Sequence, residues 1–285
     1  MIPADKIKQA TDSWFLVRLF YLYTGISVLN SGKSFNSYLF RQDSIFNSPI
    51  PIFEWTSYPG TEITTVLGYI LIVLICFACA WKPWSRELRV THFASMNAYV
   101  WWWFITQVSM KDFDKLMLIQ VSFLFLFLPN PLKRIKFAPE KALIVISAVQ
   151  FNLLLIYSMS GVSKIITSIA GFKTGNALLL PEGLPIRIIT HIVGTYSAPE
   201  LAPMAGPFAA LRSWTYPLTL GVDFLQTTAV LLAFKPRYHK ACGILLVAMH
   251  VANSLLFNIH YFDHIALLGI FLVMSPFAPK RAQFK

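Results

Sequence analysis

The sequence predicts an all-α, polytopic membrane bundle of about eight transmembrane helices, with both termini in the cytoplasm. Three observations predict it. Of the 285 residues, 56% are hydrophobic and only 13% are charged, against roughly 25% charged in soluble domains. Apolar runs of the length needed to cross a bilayer, about 20 residues, recur along the chain. The basic residues gather in alternate connections, as topology signals do. For that reason the net charge of +11 does not mark a nucleic-acid partner: no basic face accumulates.

The first span is expected at 14–30. A basic start precedes it, but Arg18 interrupts the run and no A-x-A-like site follows, so it is a retained span rather than a cleaved signal. Arg18 itself snorkels or pairs with a carboxylate and is assigned a structural role. Residues 31–64, with "IFEWTSYPG", are expected to form an ordered loop on the membrane surface. The second span, 65–81, carries Cys76 and Cys79 as a CxxC with no second pair to complete a metal site, so these thiols are small apolar fillers. Spans three and four follow at 93–109 and 115–129, with His92 as an interfacial histidine. The fifth runs 142–163. Residues 165–213 form a second long connection with a short interfacial helix near 184–194, where apolar residues recur at helical spacing. The last three spans, 214–234, 241–258 and 261–277, are close together, and the short "KPRYHK" link makes an antiparallel hairpin of the first two.

With the N-terminus inside, the cytoplasmic segments hold 15 of the 24 basic residues in short loops, and the outer segments hold eight. This asymmetry is the positive-inside pattern. Residues 1–285 read as one membrane domain, with no repeat, no linker and no separate soluble domain.

Ionisable groups inside a membrane cost roughly 2.5–3.5 kcal/mol each at a helix centre, which makes them the first candidates for function. In the fifth span, Gln150, Tyr157, Gly161 and Lys164 follow one another at spacings of 7, 4 and 3, which places them on one helical stripe. The rise from Ala142 to Lys164 is about 33 Å, so Lys164 sits near the outer boundary. There it is either a snorkelling anchor or a partly desolvated base. In the sixth span Asp223 and Gln226 lie one turn apart, and in the seventh His250, Asn253 and Phe257 share a face. Asp223 and His250 both lie about 12–13 Å deep, so a hydrogen bond between them is expected, serving either to fix the imidazole tautomer or to join two helices. His260, Asp263 and His264 have a spacing that could bind a metal, but nothing elsewhere completes the site and no metal is expected. No P-loop, nucleophile elbow, HExxH or dinucleotide fingerprint occurs.

"QFNLLLIYSMSGVSKI" followed by "FKTGNAL", and later "HVANSLLFNIHYFDHIALLGIFLVMSPF", resemble two blocks of the horizontally transferred transmembrane (HTTM) family, related to the membrane core of vitamin K-dependent gamma-carboxylase. "FLVRLFYLYTG" resembles the family's arginine-bearing first span. The resemblance implies a quinol-dependent modification enzyme in which Lys164 is the base that ionises a reduced quinone, with His250 and Asp223 beside it and Tyr157, Gly161, Asn253 and Phe257 around the cofactor. It departs from the carboxylase at Ser163, where a second lysine is usual, and at Phe172 and Lys173, where a tryptophan is common. The carboxylase's large soluble domain has no counterpart here, so glutamate carboxylation by this chain alone is not expected. The alternative the resemblance carries is a non-catalytic maturation or export accessory for a small secreted peptide toxin of the sporulation-delaying type. The expected partners are membrane lipids, with a secreted peptide or a separate soluble subunit, and the expected location is the bacterial inner membrane.

Overall fold

A computed structural model describes residues 4–39, 61–107, 114–130, 139–172, 212–257 and 261–277. Among the described residues every regular element is helical. We number the helices α1 (Ala4–Leu39), α2 (Thr61–Trp81), α3 (Arg86–Gln107), α4 (Asp114–Phe125), α5 (Pro139–Gly171), α6 (Arg212–Leu232), α7 (His239–Phe257) and α8 (Phe262–Leu268), the last continued by a π-helical turn, Gly269–Val273. Each overlaps one of the eight expected spans. Only α5 is both long and apolar enough among the described residues to cross a bilayer unaided.

The chain divides into two compact units, Met1–Val149 and Gln150–Lys285. In the first unit, α1 buries Ser13, Val17, Phe20, Thr24 and Val28, a stripe at helical spacing. Close to its middle, Gly25 would bring a Cβ to 3.2 Å from Cβ of Cys76 on α2, so a small residue lets the two helices approach. Cys76 and Cys79 are both buried, and the Cys79 thiol donates to the carbonyl of Leu88 at 3.3 Å.

Two residues of this unit depart from the sequence expectation. Arg89, one of the 15 basic residues assigned by sequence to the short cytoplasmic loops, is fully buried; its guanidinium donates to the carbonyls of Pro83 (2.9 Å) and Leu128 (2.7 Å). It ties the α2–α3 turn to the end of α4, where backbone carbonyls lack intrahelical partners. His92 is likewise no interfacial residue: it is buried, with Nδ1 3.2 Å from Ser122 Oγ and its ring edge-on to Tyr21. Loop position in the sequence misled because both residues sit on the inward face of the first turns of α3. The exposed Arg18 holds its guanidinium 5.7 Å above the Trp84 ring.

In the second unit Gln150 anchors the last helix. Its amide donates to the carbonyl of Phe271 (2.7 Å) and to Ser275 Oγ (2.9 Å), holding the end of the π turn. Gly243 on α7 faces the same turn so closely that a Cβ would fall 2.8 Å from Cβ of Leu272. The α6–α7 link is closed by His239, whose Nε2–H donates to the carbonyls of Leu232 (3.0 Å) and Ala233 (3.3 Å) at the end of α6.

Two expected connections change. Residues 31–39 continue α1 instead of opening a surface loop, and α5 runs two turns past Lys164 to Gly171. Lys164 is therefore inside a helix, not at its end. The rest of the first loop and the expected helix near 184–194 lie outside the described residues.

Candidate functional site

The stripe on α5 builds the site. Gln150, Tyr157 and Gly161 are buried, and Lys164, one turn beyond, is a third exposed. Gly161 fixes where α6 lies: a Cβ there would come within 2.6 Å of both the main-chain nitrogen and Oγ1 of Thr227. Only glycine leaves room for that approach. One turn N-terminal on α5, the Ser158 hydroxyl donates to the carbonyl of Gln226 (3.1 Å) and accepts from the N–H of Val230 (2.8 Å). Those two groups are the pair an undisturbed helix would bond to each other, so α5 inserts a side chain into the ladder of α6.

This registration presents the polar face of α6 to the lysine. Thr219, Asp223 and Gln226 are buried on one face of α6 at spacings of four and three. Lys164 Nζ donates to Gln226 Oε1 at 2.5 Å and lies 3.8 Å from Asp223 Oδ1. The Gln226 amide then donates from Nε2 to the Met249 sulfur at 3.0 Å, which carries the contact across to α7 next to His250. Both neighbours of Nζ are acceptor oxygens, one of a neutral amide and one of a carboxylate, and both suit an ammonium donor.

The second half of the site is aromatic. Tyr157 OH lies 2.5 Å from His250 Nε2 and 3.0 Å from His264 Nδ1. The two imidazole rings stand 5.1 Å apart, and the Tyr261 ring packs against both. His250 is buried, and its Nδ1 has no protein partner. Lys164 and Tyr157 are two turns apart on α5, with the lysine cluster against α6 and the phenol–imidazole cluster against α7 and the start of α8.

No family model, no curated protein and no solved structure matches the chain.

Of the residues singled out in the sequence, the structure thus brings together Tyr157, Gly161, Lys164, Asp223 and His250. It does not make the expected Asp223–His250 hydrogen bond. Equal depth brought both residues to the same level, but Asp223 faces Lys164 while His250 Nε2 is taken by Tyr157. Asn253 is half-buried and stands outside the hydrogen-bonded cluster. The side chain of Phe257 lies outside the described residues, as does His260. Among the described residues, no three His, Cys, Asp or Glu side chains gather as metal ligands would. Sequence reasoning missed Met249 and Ser158, and weighed His264 only for a metal site that it did not expect. The spacing of Ser158, one residue after Tyr157 on the inward face, was the signal for it; the place of His264 depends on how α8 folds back.

Proposed function

We propose that the chain is a polytopic membrane protein of the bacterial inner membrane whose second unit ionises a lipid-soluble hydroxyl substrate of the quinol type, in keeping with its resemblance to the HTTM family. The observation that carries this reading is Lys164, a third exposed on α5, bonded to Gln226 and paired with the buried Asp223. An ammonium so held meets the oxygen of a bound substrate from one side and stabilises the anion that forms when the hydroxyl is ionised. This modifies the role expected from the sequence, since the lysine acts as the cation beside the ionising oxygen. The membrane reading is supported by the large apolar side chains that the helices leave exposed, such as Leu67, Leu71 and Leu74 on α2 and Ile166 and Ile169 on α5; such continuous apolar surface belongs against lipid.

The test is substitution of Lys164 by Ala in protein reconstituted in lipid nanodiscs, with quinol oxidation and oxygen uptake as the readout. Turnover should fall to background while the thermal midpoint and yield stay close to those of the parent. A K164A protein that still consumes quinol at the parental rate removes the proposal.

A further inference from the structure

A phenol carries one proton. Tyr157 OH faces a ring nitrogen of His250 at 2.5 Å and one of His264 at 3.0 Å, so at most one of these nitrogens accepts from it and any other must itself donate. When the phenol donates to His250 Nε2, the His250 proton is at Nδ1 and His264 donates from its own Nδ1. When it donates to His264 Nδ1, the His264 proton is at Nε2 and His250 donates from Nε2. Both rings then carry their protons on the same kind of nitrogen, and passing from one state to the other moves a proton through all three side chains. At the inner end lies His250 Nδ1, buried and without a protein partner. A buried polar atom in that condition is destabilising unless something hydrogen-bonds to it. The Gln226–Met249 contact brings the lysine cluster to the residue beside it.

Resting on the quinol reading above, we propose that His250 Nδ1 is the base that takes the substrate's hydroxyl proton, and that Tyr157 and His264 are the wire that carries it away. The substrate O–H bond breaks and an N–H bond forms at His250 Nδ1. His250 passes its Nε2 proton to the Tyr157 oxygen, and Tyr157 passes its own proton to His264 Nδ1, so that His264, whose Nε2 is also buried, is left doubly protonated and stores the proton at the far end of the chain. No electrons change hands in these steps, and the oxyanion left behind is held by the Lys164 ammonium. His250 is thereby the catalytic residue, and Tyr157 and His264 act through it. His264, in the first turn of α8, gains a role that neither its spacing nor its neighbours in the sequence suggested.

The wire and the function it serves are tested separately. Full-length protein labelled with nitrogen-15 histidine, in lipid nanodiscs at a pH above the histidine range, reports the tautomer of each ring by solid-state NMR, with H264N and H250Q used for assignment. The expected result is the same tautomer in both rings. Opposite tautomers, with both nitrogens that face Tyr157 protonated, overturn the wire whatever the substrate is. Turnover provides the second readout: H264A should lower quinol turnover within the roughly 10²- to 10⁴-fold range of proton-transfer groups, and added imidazole should restore a large part of it. H264A at the parental rate, or a loss that imidazole leaves untouched, overturns the relay. Parent protein that ionises no quinol while showing matched tautomers overturns the function and the step from substrate to His250, and leaves the three-residue chain as the part that stands.

Discussion

Lys164 and Gln226 are joined by a 2.5 Å hydrogen bond in which the ammonium donates, and Asp223 stands 3.8 Å away on the same side. The neutral amide orients the lysine and the carboxylate offsets its charge, so the two neighbours are separable by substitution. Replacing Asp223 by Asn keeps a polar side chain of the same size and removes the offsetting charge. D223N should bind a hydroxynaphthoquinone, an anion at neutral pH, several-fold more tightly than the parent, because the ammonium then faces the ligand uncompensated. Gln226→Leu should weaken the same ligand several-fold by releasing the lysine. Tryptophan-quenching titrations in nanodiscs measure both. Equal affinities in parent and D223N would show that Lys164 does not meet the anion.

Gly161 predicts a defect of packing. A methyl group there would fall 2.6 Å from the backbone nitrogen of Thr227, and backbone cannot swing aside as a side chain can. Gly161→Ala should cost about 1–3 kcal/mol, the usual range for overpacking, and should lower quinol turnover as well, since α6 carries Asp223 and Gln226. Chemical denaturation of the reconstituted protein gives the first quantity. A G161A protein as stable as the parent would mean that α5 and α6 lie further apart than described.

The stripe Gln150–Tyr157–Gly161–Lys164 was legible because helical periodicity is a property of one segment, and a glycine one turn before a lysine points to a neighbouring backbone. The eight helices were legible for the same reason. Which group Asp223 meets was not. Depth along a helix is a single coordinate; rotation about the axis decides whether a carboxylate faces a histidine or a lysine, and rotation here is set by the Gly161–Thr227 contact and by Ser158 entering the ladder of α6. Arg89 failed for a related reason. Counting a basic residue as a loop signal assumes that it faces water, whereas its partners, Pro83 and Leu128, are 6 and 39 residues away and the second is invisible to local reading.

Arg89 therefore carries a prediction that does not depend on any activity. Its side chain makes two charge-assisted bonds in a buried setting, each worth roughly 1.5–3 kcal/mol. Arg89→Ala should destabilise the first unit by about 3 kcal/mol or more, and Arg89→Lys should recover only part of this, because an ammonium lacks the fork that spans both carbonyls. Thermal unfolding followed by thiol labelling of the buried Cys76 and Cys79 reads the change in this unit. Unaltered labelling in R89A would mean that the two bonds are dispensable.

The link between α6 and α7 should make stability depend on pH. His239 is buried and its imidazole is held below its ordinary value by desolvation, an effect that its bonds to the carbonyls of Ala233 and Leu232 only partly oppose. The folded chain therefore binds this proton less readily than the unfolded chain does. For a histidine depressed in this way, the stabilisation is present in full above the unfolded value, near 6.5, and declines as the pH falls through it. The second proton must go to Nδ1, which is buried and has no acceptor among the described residues, while Nε2 is already spent on the end of α6. His239→Gln keeps an N–H donor and cannot titrate. The thermal midpoint of the parent, measured in nanodiscs from pH 8 to pH 5, should fall more steeply below about 6.5 than that of H239Q, and the difference between the two curves isolates this residue from the other histidines. Parallel curves would show that closing α6 does not require a neutral imidazole.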